Sequence, residues 1–174
     1  YVLWRLMAKE LARKRGIDVA IMPKPYANRT GSGAHFNMSL TSLKTGENLM
    51  GSRTDKRGLG LSKHTYQFIA GILRHAPAIV ATTCPLVNSY KRLIKQGSMT
   101  GFTWAPIFTS YGANNRTHML RIPSIKPTAE DKKGGVGTSM SLTRLECRAV
   151  DPAVNPYLGA AMLLAAGLEG IEKD

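Results

Sequence analysis

The apolar residues of this chain follow two spacings, one typical of helices and one typical of strands. Residues 1–16, YVLWRLMAKELARKRG, repeat apolar side chains every three to four positions and end on Gly16, which predicts an amphipathic helix. Residues 61–81, LSKHTYQFIAGILRHAPAIVA, have the same spacing, with Ser62 placed to cap the helix. Residues 151–171 predict a third helix, whose prolines are confined to its entrance.

Shorter segments predict strands. Residues 18–25, DVAIMPKP, predict a short strand that ends at two prolines. In residues 34–40, AHFNMSL, polar and apolar side chains alternate, so that His35 shares a polar face with Asn37 and Ser39. The other side chains of that segment form a face suited to a core.

Two later segments also predict strands, and both carry arginines. Residues 114–123, NNRTHMLRIP, alternate in this way, and so do residues 141–152, SLTRLECRAVDP. In the second segment Arg144, Glu146 and Arg148 share one face, with apolar side chains behind them. Because the strands do not alternate regularly with helices, we expect an α+β fold, an antiparallel β-sheet with flanking helices.

Polar and glycine-rich residues predict loops between these elements. Residues 41–60 predict a loop or hairpin, and residues 88–108 predict a mobile loop. His64 and His75 fall on or near the polar side of the second predicted helix, where we expect solvated side chains.

The composition indicates a globular domain with an unusual charge. Of the 174 residues 43% are apolar, and 24 basic against 11 acidic side chains give a net charge of +13. Such a charge favours a polyanionic partner: nucleic acid, an acidic membrane or a phosphate-bearing substrate. The basic residues are scattered and match no known nucleic-acid-binding motif, which weakens the first of these. Without an apolar run of membrane length or an export signal, we expect a cytoplasmic protein with no membrane partner.

The two cysteines, Cys84 and Cys147, lie far apart and form no metal-binding pair. Reduced, buried small apolar residues are the favoured interpretation, ahead of a disulfide or a metal site.

Two kinds of candidate functional residue stand on the predicted strands. His35 and Glu146 are apt ligands for Mg²⁺ or Mn²⁺, although salt bridges alone would also explain a glutamate between arginines. Guanidinium groups bind carboxylates and phosphates in two-point fashion, so the strand-associated arginines suggest a site for anionic ligands, unless several simply face water. These arginines are Arg92, Arg116, Arg121, Arg144 and Arg148.

Several separate motifs, in order across most of the chain, resemble the catalytic domain of glutamine synthetase. They are IMPKP, GSGAHFNMSL, NSYKRL, NNRTHMLRIP and RLECRAVDPAVNPYLGAAMLLAAGLEGI. The resemblance implies an enzyme that uses ATP to phosphorylate the γ-carboxylate of glutamate and lets ammonia or an alkylamine displace the phosphate. Metals and arginines would supply the charge neutralisation that phosphoryl transfer needs.

The resemblance also implies a role for each matching position. The metal ligands are His35 and Glu146, for Mg²⁺ or Mn²⁺; the positions that hold glutamate are Gly31, Arg92, Arg116 and Arg148; the ATP-binding positions are Asn37, Ser39, Arg121 and Arg144. Arg116 also matches a position beside the transferred phosphoryl group and is the candidate catalytic residue.

The chain departs from the family pattern at three positions. Thr30 replaces an asparagine before the glycine turn, and Asn37 replaces the second histidine of the usual His-x-His. Trp104 stands where the family has a glutamate that helps to hold and deprotonate ammonium. An indole offers an apolar wall that suits cations, so the amine is expected to carry an alkyl group, as in the branch that includes γ-glutamylmethylamide synthetase. Ordinary glutamine synthesis stays open, because another residue could supply the base.

The resemblance finally implies that residues 1–174 are part of a catalytic domain. The small N-terminal β-domain, several upstream metal-binding glutamates and the C-terminal end are expected to be absent, so the fragment should not turn over alone. Ring-shaped homo-oligomers are expected of the full-length protein. A basic nucleic-acid-binding module and a catalytically inactive structural relative stay open as alternatives.

Overall fold

The fold is described from a computed structural model, in which residues 1–94, 105–124 and 140–173 are described. The helices are α1 (Val2–Lys14), α2 (Lys63–Arg74), α3 (Ala76–Thr83), α4 (Val87–Tyr90) and α5 (Pro156–Glu172), with one turn of 3₁₀ helix at Met140–Leu142. The strands are β1 (Phe36–Met38), β2 (Phe108–Ala113), β3 (His118–Ile122) and β4 (Leu145–Cys147). The predicted α+β class is confirmed.

The helical spacing located α1, α5 and the region of α2 and α3, but it missed the short helix α4 and one break between helices. α1 lies within its predicted segment, α5 begins five residues later and ends one residue later than predicted, and Ser62 caps α2 by accepting a hydrogen bond from the Thr65 amide at 3.2 Å. The predicted helix over residues 61–81 is two helices, because Pro77 lies in the first turn of α3 and has no N–H to continue α2. His75 stands between the two helices.

The four strands form one sheet in the order β1-β4-β3-β2. β4 is antiparallel to both of its neighbours, so Asn37 of β1 and Arg121 of β3 lie directly opposite Glu146. β2 and β3 are parallel, which makes the sheet mixed. Directly opposite side chains share a face, and one face of the sheet therefore carries Asn37, Glu146 and Arg121 side by side.

The predicted strand over residues 18–25 is wrong. No strand is assigned to this segment, because its prolines offer no N–H for a ladder and its backbone bonds elsewhere. The Asn88 side chain accepts from the Lys24 amide at 2.7 Å and donates to the Lys24 carbonyl at 2.8 Å, while the Pro23 carbonyl accepts from Ser32 N at 2.8 Å. The segment is thus tied down as a loop beside α4.

Other loop predictions have mixed outcomes. Residues 41–60 are hairpin-like, with antiparallel bridges from Thr41 to Asn48 and from Gly51 to Leu61. The predicted loop at 88–108 contains three of the four residues of α4 and the first residue of β2, a strand that the sequence pattern did not predict. Its residues 95–104, including Trp104, lie outside the described residues.

The core lies between the apolar face of the sheet and the helices α2, α3 and α5. Its buried residues include Phe68, Ile72, Leu120, Leu145, Cys147 and Leu163. α2 and α5 approach closely because glycines line their contact: a Cβ at Gly71 would stand 2.0 Å from the Ala166 carbonyl oxygen. Cys84 and Cys147 are both buried and unpaired, as expected. The helices leave the opposite, polar face of the sheet available for a site.

Candidate active site

A histidine and a glutamate meet on the polar face of the sheet. His35 immediately precedes β1 and Glu146 is the central residue of β4, and His35 Nδ1 lies 2.8 Å from Glu146 Oε1. The Glu146 side chain is 8% exposed and that of His35 is 27% exposed. The two predicted metal ligands are therefore adjacent and partly shielded from water.

Two guanidinium groups pair with the same carboxylate. Arg121 Nη1 donates to Glu146 Oε2 at 2.6 Å, and Arg148 Nη1 donates to Glu146 Oε1 at 2.9 Å. The first contact follows from the β3–β4 register and the second from the two-residue spacing along β4. Arg148 Nε also donates to the Arg116 carbonyl at 3.2 Å, which ties Arg116, itself exposed, to the same cluster.

The protonation states of His35 and Glu146 depend on their burial and on the nearby arginines. Burial lowers the pKa of His35 to about 4, and the positive charge of Arg148 acts in the same direction, against the opposing effect of Glu146. Burial alone would raise the pKa of Glu146, but the Arg121 hydrogen bond and the Arg148 charge hold it below its ordinary value. Near neutral pH the imidazole is neutral and the carboxylate is ionised, the forms that bind metal ions.

A glycine turn packs against a buried arginine beside this pair. A Cβ at Gly31 would lie 2.7 Å from the Pro23 carbonyl oxygen, and a Cβ at Gly33 would lie 2.6 Å from Arg92 Nη2. Arg92 is 6% exposed and donates from Nη2 to the Arg148 carbonyl at 3.3 Å. Its Nη1 is buried and has no hydrogen-bond partner among the described residues, a state that a bound anion would relieve. Sequence reasoning does not identify Gly33 as a site residue, although its place in the GSG turn could have indicated it.

The predicted ATP-binding residues are spread along β1, β3 and β4. Arg144 Nε donates to the Asn37 side-chain oxygen at 3.3 Å, and both residues adjoin Glu146, as does Arg121. Ser39 follows the end of β1 and is exposed. The structure thus gathers Asn37, Arg121 and Arg144 around Glu146, with Ser39 at the margin.

The side chains of this site supply some of the ligands that a divalent cation needs. A neutral imidazole and an ionised carboxylate are suitable ligands, and His35 and Glu146 would hold the ion here. Within residues 1–94, 105–124 and 140–173, no group of three or more His, Cys, Asp or Glu side chains is placed to hold a metal ion. Further ligands would come from water, substrate or residues outside this set.

The described part of the chain has no helix of sufficient length and apolarity to span a membrane.

The whole chain, residues 1–174, matches the family model described as "Glutamine synthetase, catalytic domain". It is 43% identical over 171 residues to a glutamate–methylamine ligase of Methyloversatilis universalis, an alignment that covers 98% of this chain and 34% of the relative. It is 42% identical over 171 residues to a glutamine synthetase of Clostridium saccharobutylicum, covering 98% of this chain and 33% of that one.

Solved structures agree with these sequence relatives. The fold superimposes on a GmaS/ADP complex with a TM-score of 0.75 at 40% identity, and on GmaS without ligand with a TM-score of 0.71 at 38% identity. The alignments cover 98% of this chain and 35% and 33% of those chains, so the chain spans about a third of the length of the proteins that it matches. The mixed α+β fold, the polar site and the match along all 174 residues together place this chain in the glutamine synthetase family, as part of its catalytic domain.

Proposed function

We propose that this chain is part of an ATP-dependent ligase that joins ammonia or a small alkylamine to the γ-carboxylate of glutamate through γ-glutamyl phosphate. The observation that carries the proposal is the convergence of a neutral imidazole, an ionised carboxylate and buried guanidiniums on one face of the sheet. Phosphoryl transfer between two anions depends on charge neutralisation and alignment, and such a cluster provides both.

In this proposal His35 and Glu146 hold Mg²⁺ or Mn²⁺, which when bound would neutralise charge on the nucleotide phosphates. Asn37, Ser39, Arg121 and Arg144 contact ATP; Gly31, Arg92, Arg116 and Arg148 contact glutamate. Arg92 Nη1 is buried with no acceptor among the described residues, and this supports its part, because a substrate carboxylate would supply one.

The reaction would proceed in two steps. An oxygen of the glutamate γ-carboxylate attacks the γ-phosphorus of ATP, the bond to the β-phosphate oxygen breaks, and ADP leaves. The amine nitrogen then attacks the γ-carbonyl carbon, phosphate leaves, and the nitrogen gives up a proton. Arg116 would stabilise charge on the phosphoryl group in transit, as the catalytic residue.

The identity of the amine is inferred from one substituted position, Trp104. Identities of 43% and 42% to a methylamine ligase and to a glutamine synthetase do not separate the two reactions. Trp104 in place of a glutamate favours an alkylamine, because a methyl group can pack against an apolar wall without the cost of desolvating a carboxylate. The intact protein is further proposed to be a cytoplasmic, ring-shaped homo-oligomer, of which this chain supplies an incomplete site.

The test measures phosphate release from ATP and glutamate by the intact protein with ammonium, methylamine and ethylamine in turn. We expect an amine-dependent rate, higher with methylamine than with ammonium. The control variant Asp55→Asn neutralises a carboxylate in the loop before α2 and should keep that preference. Equal rates with and without any amine would overturn the ligase proposal.

A further inference from the structure

The hairpin-like loop at residues 41–60 has no part in the proposed chemistry, but one of its side chains reaches the entrance of β4. Asn48 is half-buried in this loop, and its Nδ2 donates to the Thr143 carbonyl at 2.8 Å. Thr143 is 7% exposed and lies two residues before β4, outside the registers in which β4 pairs with β1 and β3. A side chain therefore binds this buried carbonyl where a neighbouring strand does not.

Asn48 is itself held in a fixed orientation. Its Oδ1 accepts from the Met50 amide at 2.8 Å. Met50 is fully buried, and its carbonyl accepts from the Thr65 hydroxyl at 2.8 Å, in the first turn of α2. The loop also packs closely on the backbone before β4, because a Cβ at Gly51 would stand 3.0 Å from Thr143 Oγ1. Asn48 thus joins the entrance of β4 to a part of the loop that is anchored on α2.

The residue that follows Thr143 is Arg144, one of the proposed ATP contacts. Arg144 is half-buried, and its Nε donates to Asn37 Oδ1 of β1 at 3.3 Å. Within the part of the chain that the structure describes, this bond uses Nε, and Nη1 and Nη2 form none. A guanidinium held at Nε presents its two Nη groups as a fork, the geometry that binds two phosphate oxygens.

Arg144 is therefore constrained at two points, its guanidinium and its backbone. The Thr143 carbonyl oxygen lies in one plane with the backbone nitrogen and Cα of Arg144, because the peptide bond is planar. A hydrogen bond that fixes this oxygen also fixes the direction in which the Arg144 side chain leaves the backbone. The exposed 3.3 Å contact with Asn37 is a weak restraint by itself for a side chain with as much rotational freedom as arginine.

We propose that Asn48 is a positioning residue for Arg144, which fixes, through the Thr143 carbonyl, the peptide from which the Arg144 guanidinium reaches the nucleotide phosphates. This inference rests on the proposed function for the identity of the ligand. Asn48 touches no substrate itself and acts through Arg144.

The experiment is isothermal titration of the intact protein with the magnesium complex of a non-hydrolysable ATP analogue, together with steady-state kinetics. Asn48→Ala removes the amide that binds the Thr143 carbonyl. We expect Kd for the analogue and KM for ATP to rise about fivefold, as for the loss of one hydrogen bond, while KM for glutamate changes by no more than about twofold. An unchanged Kd, or an equal rise in both KM values, would overturn the inference.

Asn155→Ala is the matched control. The Asn155 side chain also bonds to backbone, since it accepts from the Tyr157 and Leu158 amides at the start of α5. Its removal should therefore also destabilise the fold, but Kd for the analogue should stay unchanged. If Asn155→Ala weakens binding as much as Asn48→Ala does, the effect is one of general destabilisation and the positioning role is overturned.

A double-mutant cycle tests whether Asn48 acts through Arg144. Arg144→Gln should itself raise Kd about tenfold or more, and Asn48→Ala should then add no further loss, because the group that it positions is already gone. Additive losses would overturn the inference, and so would an unchanged Kd in Arg144→Gln. If Asn48→Ala does not accumulate as folded protein, Asn48→Ser takes its place in the cycle. If neither variant folds, Asn48 holds the fold as a whole, and the specific role is overturned.

The two proposals fail in different ways. If the wild-type protein binds the analogue but shows no glutamate-dependent phosphate release, the ligase proposal fails and the titrations still decide the role of Asn48. If it does neither, both proposals fail. If the wild type is active and Asn48→Ala retains its Kd, the ligase proposal stands and only the positioning role is overturned.

Discussion

At the scale of single residues, the charges around Glu146 decide what it can bind. Its carboxylate is shared by Arg121, Arg148 and His35, so a divalent cation would compete with guanidiniums already in place. Both oxygens of a carboxylate have more than one lone pair, and a single group can serve an arginine and a metal ion together. The arginines thus orient Glu146 for an ion while lowering its tendency to bind a proton.

Replacing Glu146 with glutamine tests this assignment. The amide keeps the shape and loses the charge, so we expect the affinity of the intact protein for magnesium–nucleotide to fall about tenfold or more. Isothermal titration with Mg–ADP measures it. Glu169→Gln is the matched control, because Glu169 also pairs with a histidine, His75, but between α2 and α5. An unchanged affinity in Glu146→Gln would remove Glu146 from the metal site.

The lowered pKa of His35 predicts how the metal-free protein responds to acid. The folded-state pKa is about 4 and the unfolded value is about 6.5, so between these pH values the unfolded chain binds more protons. The free energy of unfolding should therefore decrease as the pH falls from about 6.5 to about 4. Glu146, whose pKa is lowered, loses its contribution in the same direction, below its unfolded pKa.

Urea unfolding of the metal-free intact protein at several pH values checks this dependence. His35→Gln should flatten the decrease between about pH 6.5 and 4. The same variant above about pH 7, where the imidazole is neutral in both states, is the internal control. An equal slope in wild type and variant would contradict the lowered pKa of His35.

At the scale of elements, the contact between α2 and α5 depends on glycines. Alanine normally stabilises a helix by about 1 kcal/mol relative to glycine. At Gly71 the added Cβ would meet the Ala166 carbonyl oxygen at 2.0 Å and backbone atoms of Gly170 at 2.9 Å, and backbone cannot move aside cheaply. The two helices would have to separate, exposing part of the core.

Gly71→Ala should therefore destabilise the protein by about 1–3 kcal/mol instead of stabilising it. Thermal or urea unfolding of the intact protein measures the sign. The neighbouring exposed substitution Ala70→Ser is the control and should cost about 0.5 kcal/mol through helix propensity alone. A Gly71→Ala variant as stable as the wild type would refute the close helix contact.

The elements also show what the sequence could and could not predict. The spacing of apolar residues located α1 and α5, and the alternation in β1 and β4 correctly put His35 and Glu146 on polar faces. The alternation could not predict the register that places Arg121 opposite Glu146, or the parallel pairing of β2 with β3. A period of two residues contains no information about which strand is the neighbour. The strand wrongly predicted at residues 18–25 illustrates the same limit. An apolar pattern alone does not show whether a neighbouring strand is present to pair with it.

Asp151 marks a different limit of sequence reasoning. It falls inside the segment predicted as the third helix, but α5 begins only at Pro156, and Asp151 Oδ1 accepts from the Ala153 amide at 2.8 Å in the turn before it. Its tertiary contact is a backbone N–H that donates to the Thr83 carbonyl at the end of α3 at 3.2 Å, and no local pattern contains that contact.

At the scale of the whole molecule, the structure shows where part of the net charge of +13 lies. Three guanidiniums, those of Arg92, Arg121 and Arg148, are buried or half-buried, and two of them pair with the single carboxylate of Glu146. Nucleic-acid binding instead needs basic side chains along an exposed surface, where each can reach a phosphate. The buried part of the charge therefore favours a small anionic ligand.

This difference predicts distinct salt dependences for the intact protein. Binding of Mg–ATP should persist at about 200 mM salt, because the buried groups are poorly screened, whereas any affinity for DNA or RNA should fall steeply between about 50 and 200 mM. Isothermal titration with Mg–ATP at both salt concentrations measures the first affinity, and fluorescence anisotropy with a labelled oligonucleotide, in the presence and absence of excess Mg–ATP, measures the second. Arg74→Gln, at the C-terminal end of α2, is the control and should leave Mg–ATP binding unchanged. Oligonucleotide binding that survives at the higher salt and is unaffected by Mg–ATP would favour a nucleic-acid-binding module over a ligase, since a polymer held along the outer surface does not compete for a site built around Glu146.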